Sequence, residues 1–358
     1  MNVLIVGAGP TGLTAALELA RRGVIPEIVD AKDAPSTLSR AVGILPKSIE
    51  TLNRTGVGDK LAESGVQITR VDLYRDCKRL VDVDITNHTD PTDFITGLPQ
   101  DKTETIMSET LASLGVDVQY GRQVVDVETK GTSATATFAD GRTATYDWVI
   151  GADGVASTTR ESLGIHYEGY ELAETWSIAD LELLPEDYDT HKINAWMLDG
   201  DCDQRDVLVM LPMGRGRVRL VSSTPNSVSA LPLDLDIEAV RHTGNFRISV
   251  RHAESYVTGR VLLAGDAAHA HSPVGGRGMN LGIDDGQAAA SAVIEEDTET
   301  YAQVRQAKAS HVINGTERAR KIILSNNPIV GAGLKLAGWL ITNVTFFQRQ
   351  FVENVTQL

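Results

Sequence analysis

Residues Gly7-Ala8-Gly9-Pro10-Thr11-Gly12 carry three glycines at GxGxxG spacing. The chemistry this spacing serves is the seating of a pyrophosphate. Gly7 permits a tight turn, Gly9 lets the backbone approach the phosphates, and Gly12 allows a helix to pack closely on a strand. A helix opening at Pro10 and Thr11 turns its N-terminal N–H groups toward the anion. Asp30 is placed to accept hydrogen bonds from an adenosine ribose. A dinucleotide is therefore the expected ligand, and this motif alone leaves FAD and NAD both open. Further on, Asp153-Gly154 and Gly265-Asp266 each set a carboxylate beside a glycine, and His269 and His271 stand at HxH spacing. No carboxylate or cysteine cluster accompanies the two histidines, so local hydrogen bonding is expected of them and no metal. Taken singly, Asp266 also reads as a helix cap, Asp153-Gly154 as a turn, and Arg40 and Arg160 as solvated charges. Their joint occurrence favours a site.

The elements that must position these residues can be read around them. Val3–Val6 is a short apolar run of the kind buried on both faces of a parallel sheet. Leu13, Ala16, Leu17 and Ala20 then recur at helical spacing up to Gly23, and residues 26–30 read as a second strand, which makes a βαβ unit. Helices are expected over residues 45–52 and 100–114, the latter stopped by Gly115. Residues 71–74 and 80–85 read as antiparallel strands. Residues 116–118, 124–127, 134–138 and 148–150 follow as further strands, with Asp140-Gly141 as a hairpin turn. Short apolar segments from about residue 167 to 251 suggest an antiparallel sheet. Residues 261–264 are again a buried strand, and the chain after Asn280 is mainly helical.

The chain has 358 residues, 42% of them apolar, which predicts two or three structural units with ample surface to bury. A net charge of −15 and a pI near 5.0 oppose nonspecific binding to a polyanion, so no nucleic acid is expected. Cys77 and Cys202 lack the spacing of a zinc or iron–sulfur site and are expected to be two buried thiols. The opening Met1-Asn2-Val3-Leu4 runs at once into the glycine turn without the basic n-region of a signal peptide, and a cytoplasmic location is expected. GxSxG, HExxH and P-loop motifs are absent, which removes the hydrolase and ATPase readings. Gly331-Ala332-Gly333 lacks a preceding strand and a third glycine, so no second nucleotide fold is expected. Residues 328–347 carry one charge, Lys335, and approach membrane-spanning length. Leu336, Leu340, Val344 and Phe347 fall at helical spacing, as in a C-terminal helix packed on the core, and membrane contact is not expected.

Three separated stretches together carry a resemblance. They are the GxGxxG, the run Ile150-Gly151-Ala152-Asp153-Gly154 followed by Arg160, and Gly265-Asp266-Ala267-Ala268-His269 with Pro273-Val274-Gly275-Gly276-Arg277-Gly278-Met279-Asn280. With them the chain resembles the class A FAD-dependent monooxygenases, the p-hydroxybenzoate hydroxylase family, over residues 1–287. The resemblance implies an α/β fold: a Rossmann-like FAD-binding domain of the glutathione-reductase type, with an inserted antiparallel-sheet substrate domain and C-terminal helices. The implied layout is residues 1–70 with 99–166 and 252–290 for FAD, 71–98 with 167–251 for substrate, and 291–358 as a helical segment.

It also implies roles. Gly7, Gly9, Pro10, Thr11, Gly12 and Asp30 would bind the ADP half of FAD, Val124 would meet the adenine through its backbone, and Asp266 would bind the ribityl chain. The backbone N–H groups of Gly278, Met279 and Asn280 would face the flavin pyrimidine, where reduction places negative charge. Gln100 matches a flavin-contacting glutamine. Asp153 and Gly154 would lie near the pyrophosphate and help bind NAD(P)H. Arg40 matches the arginine that meets FAD where the flavin moves, and Pro273 the residue whose carbonyl faces the substrate.

The implied activity is hydroxylation of a small phenolic or related aromatic substrate by O2 through a flavin C4a-hydroperoxide, with NAD(P)H as co-substrate. An epoxidase or quinone-precursor hydroxylase of the same family, and a flavin-binding redox protein without turnover, are the alternatives. His191, His242, Tyr167 and Tyr170 all read as surface or core residues, and none is assigned as the substrate-activating base. Oligomeric state is left open. The chain is short for the family, so the thioredoxin-like C-terminal domain of its larger phenol and polyketide hydroxylases is not expected, and it departs at Asp285-Gly286-Gln287, where many relatives carry alanine.

Overall fold

Val3–Val6, buried at all four residues, lies near the middle of a six-stranded sheet. In this computed structural model residues 1–35, 41–75, 77–87, 94–184, 188–200 and 205–357 are described. Across the sheet the strands run Val257–Thr258, Val261–Leu263, Trp148–Gly151, Val3–Val6, Glu27–Val29 and Val118–Gln119. All pairs are parallel except the outermost, Val257–Thr258 on Val261–Leu263. Parallel strands covered on both faces need no polar alternation, which is why Val3, Leu4, Ile5, Val149 and Ile150 are all buried.

The helix Pro10–Arg21 leaves the first strand through the glycine turn, with Gly9 as its N-cap and Pro10 at its first position, where proline loses no hydrogen bond. Helix Gly278–Glu295 lies against it. Leu13, Ala16, Leu17, Ile283, Ala289, Ala290 and Val293 share one core with the parallel sheet. A small antiparallel meander, Val124–Lys130, Ser133–Phe138 and Thr143–Tyr146, builds a second core with Leu4, Val29 and Val149 on the other face. Its first turn is Gly131 and its second contains Gly141, as the Asp140-Gly141 pair predicts.

A seven-stranded sheet forms the other large layer, ordered Ile237–Phe246, Trp176–Leu183, Arg217–Ser222, Asp206–Gly214, Lys192–Leu198, Arg70–Arg75 and Lys78–Asp84. It is not wholly antiparallel: Lys192–Leu198 runs parallel to Arg70–Arg75. Residues 76–191 separate these two strands in sequence, so no hairpin dictates their direction. Tyr167–Glu171 and Ser249–Ala253, read from sequence as part of the same sheet, instead pair with each other and with His269–Ala270 in a separate three-stranded sheet. The helices Pro46–Asn53 and Gln100–Ser113 match the sequence reading, and Gly58–Ser64 is an additional short helix.

Two expectations are corrected. Cys77 is exposed, because it occupies the tight turn between Arg70–Arg75 and Lys78–Asp84 at φ +59°, and Cys202 lies outside the described residues. The C-terminal helix Pro328–Asn343 packs on the core with Ile341, half-buried, and leaves other large side chains outside. Gly331 and Gly338 are its buried residues, whereas Ile329, Leu336 and Trp339 are exposed.

Candidate functional site

The glycine turn is where the three motif stretches meet. Gly7 adopts φ +103°, and a Cβ there would lie 2.4 Å from the Ala152 carbonyl oxygen and 3.0 Å from the Asp153 Cα. That contact sets the Asp153-Gly154 turn against the loop. A Cβ on Gly12 would fall 1.9 Å from Gly7 O, so the helix can approach the strand only without one. Thr11 reaches the third stretch: Cβ atoms on Gly265 and Gly282 would lie 2.5 and 2.4 Å from its Oγ1, and one on Gly286 2.2 Å from its carbonyl oxygen. Gly9 differs from its neighbours. Its backbone is extended at φ −75°, and a Cβ on it would meet nothing within 4 Å. The first intrahelical bond is Leu13 N–H to Gly9 O at 2.9 Å, so the Thr11 and Gly12 N–H groups precede the helical ladder beside open space. Such a terminus attracts a phosphate.

Asp30 ends the second strand and holds the loop, its Oδ2 accepting from Ala8 N–H and its Oδ1 from Lys32 N–H, both at 2.8 Å. It is half-buried. Residues 119–122 run beside it, through Asp30 N–H to Gln119 O at 3.1 Å and Arg122 N–H to Asp30 O at 2.9 Å. Val124 follows, buried and paired with Phe138. Gln100, at the head of its helix, donates Nε2 to Glu104 Oε1 at 2.7 Å.

The Gly265-Asp266 turn opens a short 3-10 helix, with the Asp266 side chain exposed and without a hydrogen-bond partner among the described residues. The turn is anchored from below. Gly265 N–H donates to Asp285 Oδ2 at 2.9 Å, and His269 Nε2 lies 2.5 Å from the same oxygen. An ionised carboxylate only accepts, so the ring donates its N–H. Arg305 Nε binds the other oxygen at 2.5 Å, and Arg305 and Lys308 both bind Asp284. His269, Asp285 and Arg305 are all buried. Burial alone would raise the Asp285 carboxyl, but the adjoining His269 ring and Arg305 guanidinium outweigh it and hold the group below the ordinary carboxylate value.

The turn is also stapled from the side. Arg160 is buried, donates to the carbonyls of Ala267 (3.1 Å) and Val155 (3.0 Å), and lies over the Tyr167 ring at 3.9 Å. Tyr167 in turn donates its hydroxyl to Asp266 O at 2.9 Å. Burial pushes the Tyr167 phenol far above its usual value, which removes it as a base. Asp153 accepts from Ser157 Oγ (2.5 Å), Thr159 N–H (2.9 Å) and Thr159 Oγ1 (3.0 Å), so its side chain secures the start of helix Thr158–Ser162. The backbone of Gly154, at φ +79°, is what that turn has left to offer a ligand. Arg160→Met should leave the Ala267 and Val155 carbonyls buried and without this donor. We expect a loss of about 2–4 kcal/mol, seen as a lower urea midpoint at unchanged m-value.

Opposite the glycine loop, helix Gly278–Glu295 begins. Its first intrahelical bond is Leu281 N–H to Arg277 O at 2.8 Å, so the N–H groups of Gly278, Met279 and Asn280 all precede the ladder. The buried Asn280 side chain ties this end to residues 43–45, accepting from Leu45 N–H (2.8 Å) and donating to Gly43 O (2.9 Å). Beside it stands His271. Its Nδ1 lies 2.8 Å from Ser272 O, while its buried Nε2 has no partner among the described residues and lies 3.8 Å from a Cβ placed on Gly278. Burial holds the His271 imidazole below its usual value, hence neutral at pH 7. Pro273 is half-buried, and its carbonyl accepts from Gly276 N–H at 2.9 Å in the turn that precedes the helix. Arg40 lies outside the described residues.

His191 is exposed against Gln67 O and Tyr170 is exposed against Glu317, so neither lines this region. No metal-ligating group of three or more residues occurs among the described residues. Two clusters escaped the sequence reading. Asp285 was visible there as an odd residue, but its pairing with His269 and Arg305 needs two helices to cross. The buried Asp180–Arg219 ion pair, at 2.6 and 2.7 Å, joins directly opposed residues of neighbouring strands and becomes legible once register is known.

Comparison with known proteins agrees with this geometry. A family model described as an FAD binding domain matches residues 1–314. The chain is 31% identical to 6-methylpretetramide 4-monooxygenase of Streptomyces rimosus, covering 92% of this chain and 63% of that protein. It is 30% identical to pentachlorophenol 4-monooxygenase of Sphingobium chlorophenolicum, covering 90% and 65%. It thus spans somewhat less than two thirds of both. The fold matches the crystal structure of p-nitrophenol 4-monooxygenase from Pseudomonas putida DLL-E4 at a TM-score of 0.87, with 22% identity over 99% of this chain and 98% of that one.

Proposed function

Because the chain belongs to the FAD binding domain family, among the class A flavoprotein monooxygenases, we propose that it is an FAD-dependent monooxygenase acting on a phenolic or related aromatic compound. The observation that carries this reading is the contrast within one turn: Gly7 and Gly12 are closed in by backbone, while Gly9 faces open space at a helix N-terminus. The residues fit FAD at its other end too. Three N–H groups ahead of the helical ladder and the partnerless His271 Nε2 stand together, as a ring with carbonyl and imide groups requires. Bound FAD would supply transfer of electrons from NAD(P)H to O2 and of one oxygen atom to the substrate.

The chain's own contribution follows from the geometry. Thr11 and Gly12 N–H groups hold the pyrophosphate, and Asp30 accepts from the ribose while bracing the loop. Asp266 offers its exposed carboxylate to the ribityl hydroxyls. The helix end at Gly278, Met279 and Asn280 stabilises negative charge on the reduced ring without reorganising. Val124 and Gln100 border the adenine and ring ends, and Arg40 and Pro273 are assigned to the meeting of ring and substrate. NAD(P)H is proposed as reductant without a side chain of its own from Asp153, which is committed to its helix cap.

The layout accompanying this reading is a Rossmann-like FAD domain (1–70, 99–166, 252–290), an inserted substrate sheet (71–98, 167–251) and a C-terminal helical segment (291–358). The parallel and seven-stranded sheets support it. We also propose a cytoplasmic location; no single helix among the described residues is long and apolar enough to cross a membrane.

The test is direct. Purified protein should carry or take up FAD, and phenols from a panel should stimulate NAD(P)H oxidation with labelled oxygen entering the product. Flavin bound without any stimulation would favour the redox protein without turnover, and colourless protein that refuses FAD would overturn both. Asp266→Ala should raise the FAD dissociation constant by at least about tenfold, since charge-assisted hydrogen bonds are lost. The apoprotein melting midpoint should stay unchanged, because the carboxylate has no hydrogen-bond partner among the described residues.

A further inference from the structure

The helix Pro328–Asn343 is apolar on its outward face as well as its inward one. A surface helix ordinarily buries large apolar side chains and shows polar ones to water. Here the side facing the protein carries Gly331 and Gly338, with Ile341 half-buried on the core beyond them: a Cβ on Gly338 would lie 2.6 Å from Leu80 O and one on Gly331 3.1 Å from the Arg75 guanidinium. The side facing away carries Ile329, Leu336 and Trp339, which are 79%, 61% and 58% exposed. They recur at helical spacing and form one stripe. The chain then turns by 100° into helix Thr345–Thr356, whose first residues include Phe346, 63% exposed, and Phe347 packed edge-on against it.

Charge says what covers this stripe. Residues 318–356 contain Arg318, Arg320, Lys321, Lys335 and Arg349 and one acidic residue, the exposed Glu353, in a chain whose net charge is −15. Arg320 is paired with Glu317 and Glu174, but Arg318, Lys321, Lys335 and Arg349 are exposed. A second copy docked about a two-fold axis would bring these four exposed cations together with their copies and only Glu353 of each segment to answer them. An anionic lipid surface answers them all, and its acyl region takes the apolar stripe.

We propose that the bent helix pair Pro328–Asn343 and Thr345–Thr356 is a membrane-surface anchor that lies in the interface of an anionic bilayer. Ile329, Leu336, Trp339 and Phe346 enter the acyl boundary, and Lys335, Arg349, Arg318 and Lys321 meet the headgroups. The anchor lies flat and does not span. The remaining acidic surface, repelled by the same lipid, fixes which side of the protein faces the membrane. This reverses the sequence-based expectation of a core-packed helix and holds independently of the reaction catalysed.

The protein contains its own probe. Of its four tryptophans, Trp148, Trp176 and Trp196 are buried and Trp339 is the exposed one. Full-length protein should co-sediment with vesicles of phosphatidylglycerol and phosphatidylcholine at least about tenfold better than with phosphatidylcholine alone, and salt near ~1 M should erase the difference. Acyl-brominated lipid should quench the fluorescence, and Trp339→Phe should remove the quenched component.

Leu336→Ser with Trp339→Ser, and separately Lys335→Glu with Arg349→Glu, should each weaken binding by about tenfold or more with an unchanged melting midpoint. Absence of vesicle binding, equal binding to both vesicle types, or binding that survives both double variants would overturn the proposal. So would concentration-dependent self-association that shields Trp339 from aqueous iodide without lipid.

Discussion

Gly9→Asp is expected to keep or slightly raise the stability of the apoprotein while abolishing FAD binding, and Gly12→Ala is expected to do damage of the opposite kind. Gly9 caps the helix in extended backbone that any residue adopts, and a Cβ there touches nothing. Aspartate is among the best N-cap residues and would stabilise the helix over glycine by roughly a few tenths of a kcal/mol. Its carboxylate would also stand where the pyrophosphate must come, adding repulsion to steric exclusion, so the FAD dissociation constant should rise by at least about a hundredfold, roughly 2.7 kcal/mol. Gly12 has no such room: a single methyl would sit 1.9 Å from the Gly7 carbonyl oxygen. Overpacking against side chains costs about 1–3 kcal/mol, and here the neighbour is backbone, so about 3 kcal/mol or more is expected. Chemical denaturation and flavin titration of the two variants together give the test. If Gly9→Asp retained flavin, the assignment of this turn would be wrong.

The second large effect belongs to Asp285. Asp285→Asn should cost about 3–5 kcal/mol, the range for breaking a buried ion pair from one side, because Arg305 and His269 remain buried around a neutral amide. The Gly265 N–H also loses its charged acceptor, so flavin affinity should fall as well. Replacing Asp285, Arg305 and His269 together by apolar residues of similar volume should recover much of the loss, since the desolvation of all three charges and dipoles then disappears together.

The pH dependence has a definite sign. The folded-state pKa of Asp285 lies below its unfolded value, so its contribution is complete above the unfolded value near ~4 and fades as pH falls through the folded one. The stability gap between the parent protein and Asp285→Asn should therefore be flat from neutral pH down to about 5 and narrow only in more acid solution. Urea midpoints collected across that range decide the matter; a gap that widened in acid would contradict the assignment.

What the sequence made legible was local. The GxGxxG, with an apolar run before it and helical spacing after it, specifies strand, turn and helix by steric need alone, and the structure reproduces each. Asp140-Gly141 and Gly115 are legible for the same reason, since a positive φ is needed at each glycine. The long-range pairings were not legible. Nothing in Arg70–Arg75 reveals that its partner Lys192–Leu198 runs parallel, because direction is decided by a connection of more than a hundred residues. His269 showed only that it would be hydrogen-bonded; its partner Asp285 and the Arg305 that holds Asp285 come from two separate helices. The C-terminal helix misled because apolar residues at helical spacing look identical whether they face a core or face outward. The glycines at 331 and 338, seven residues apart, were the clue to which side packs.

At three positions around the glycine turn the close approach is to backbone: Gly7 on Ala152, Gly12 on Gly7 and Gly286 on Thr11. A crowded side chain can usually be accommodated by trimming its neighbour, which is how second-site suppressors arise. Here there is no neighbour to trim, since a carbonyl oxygen is the same in all twenty amino acids. Suppressors of lesions at these three positions should therefore be reversions, and directed evolution of this enzyme has its free variables elsewhere, on walls made of side chains.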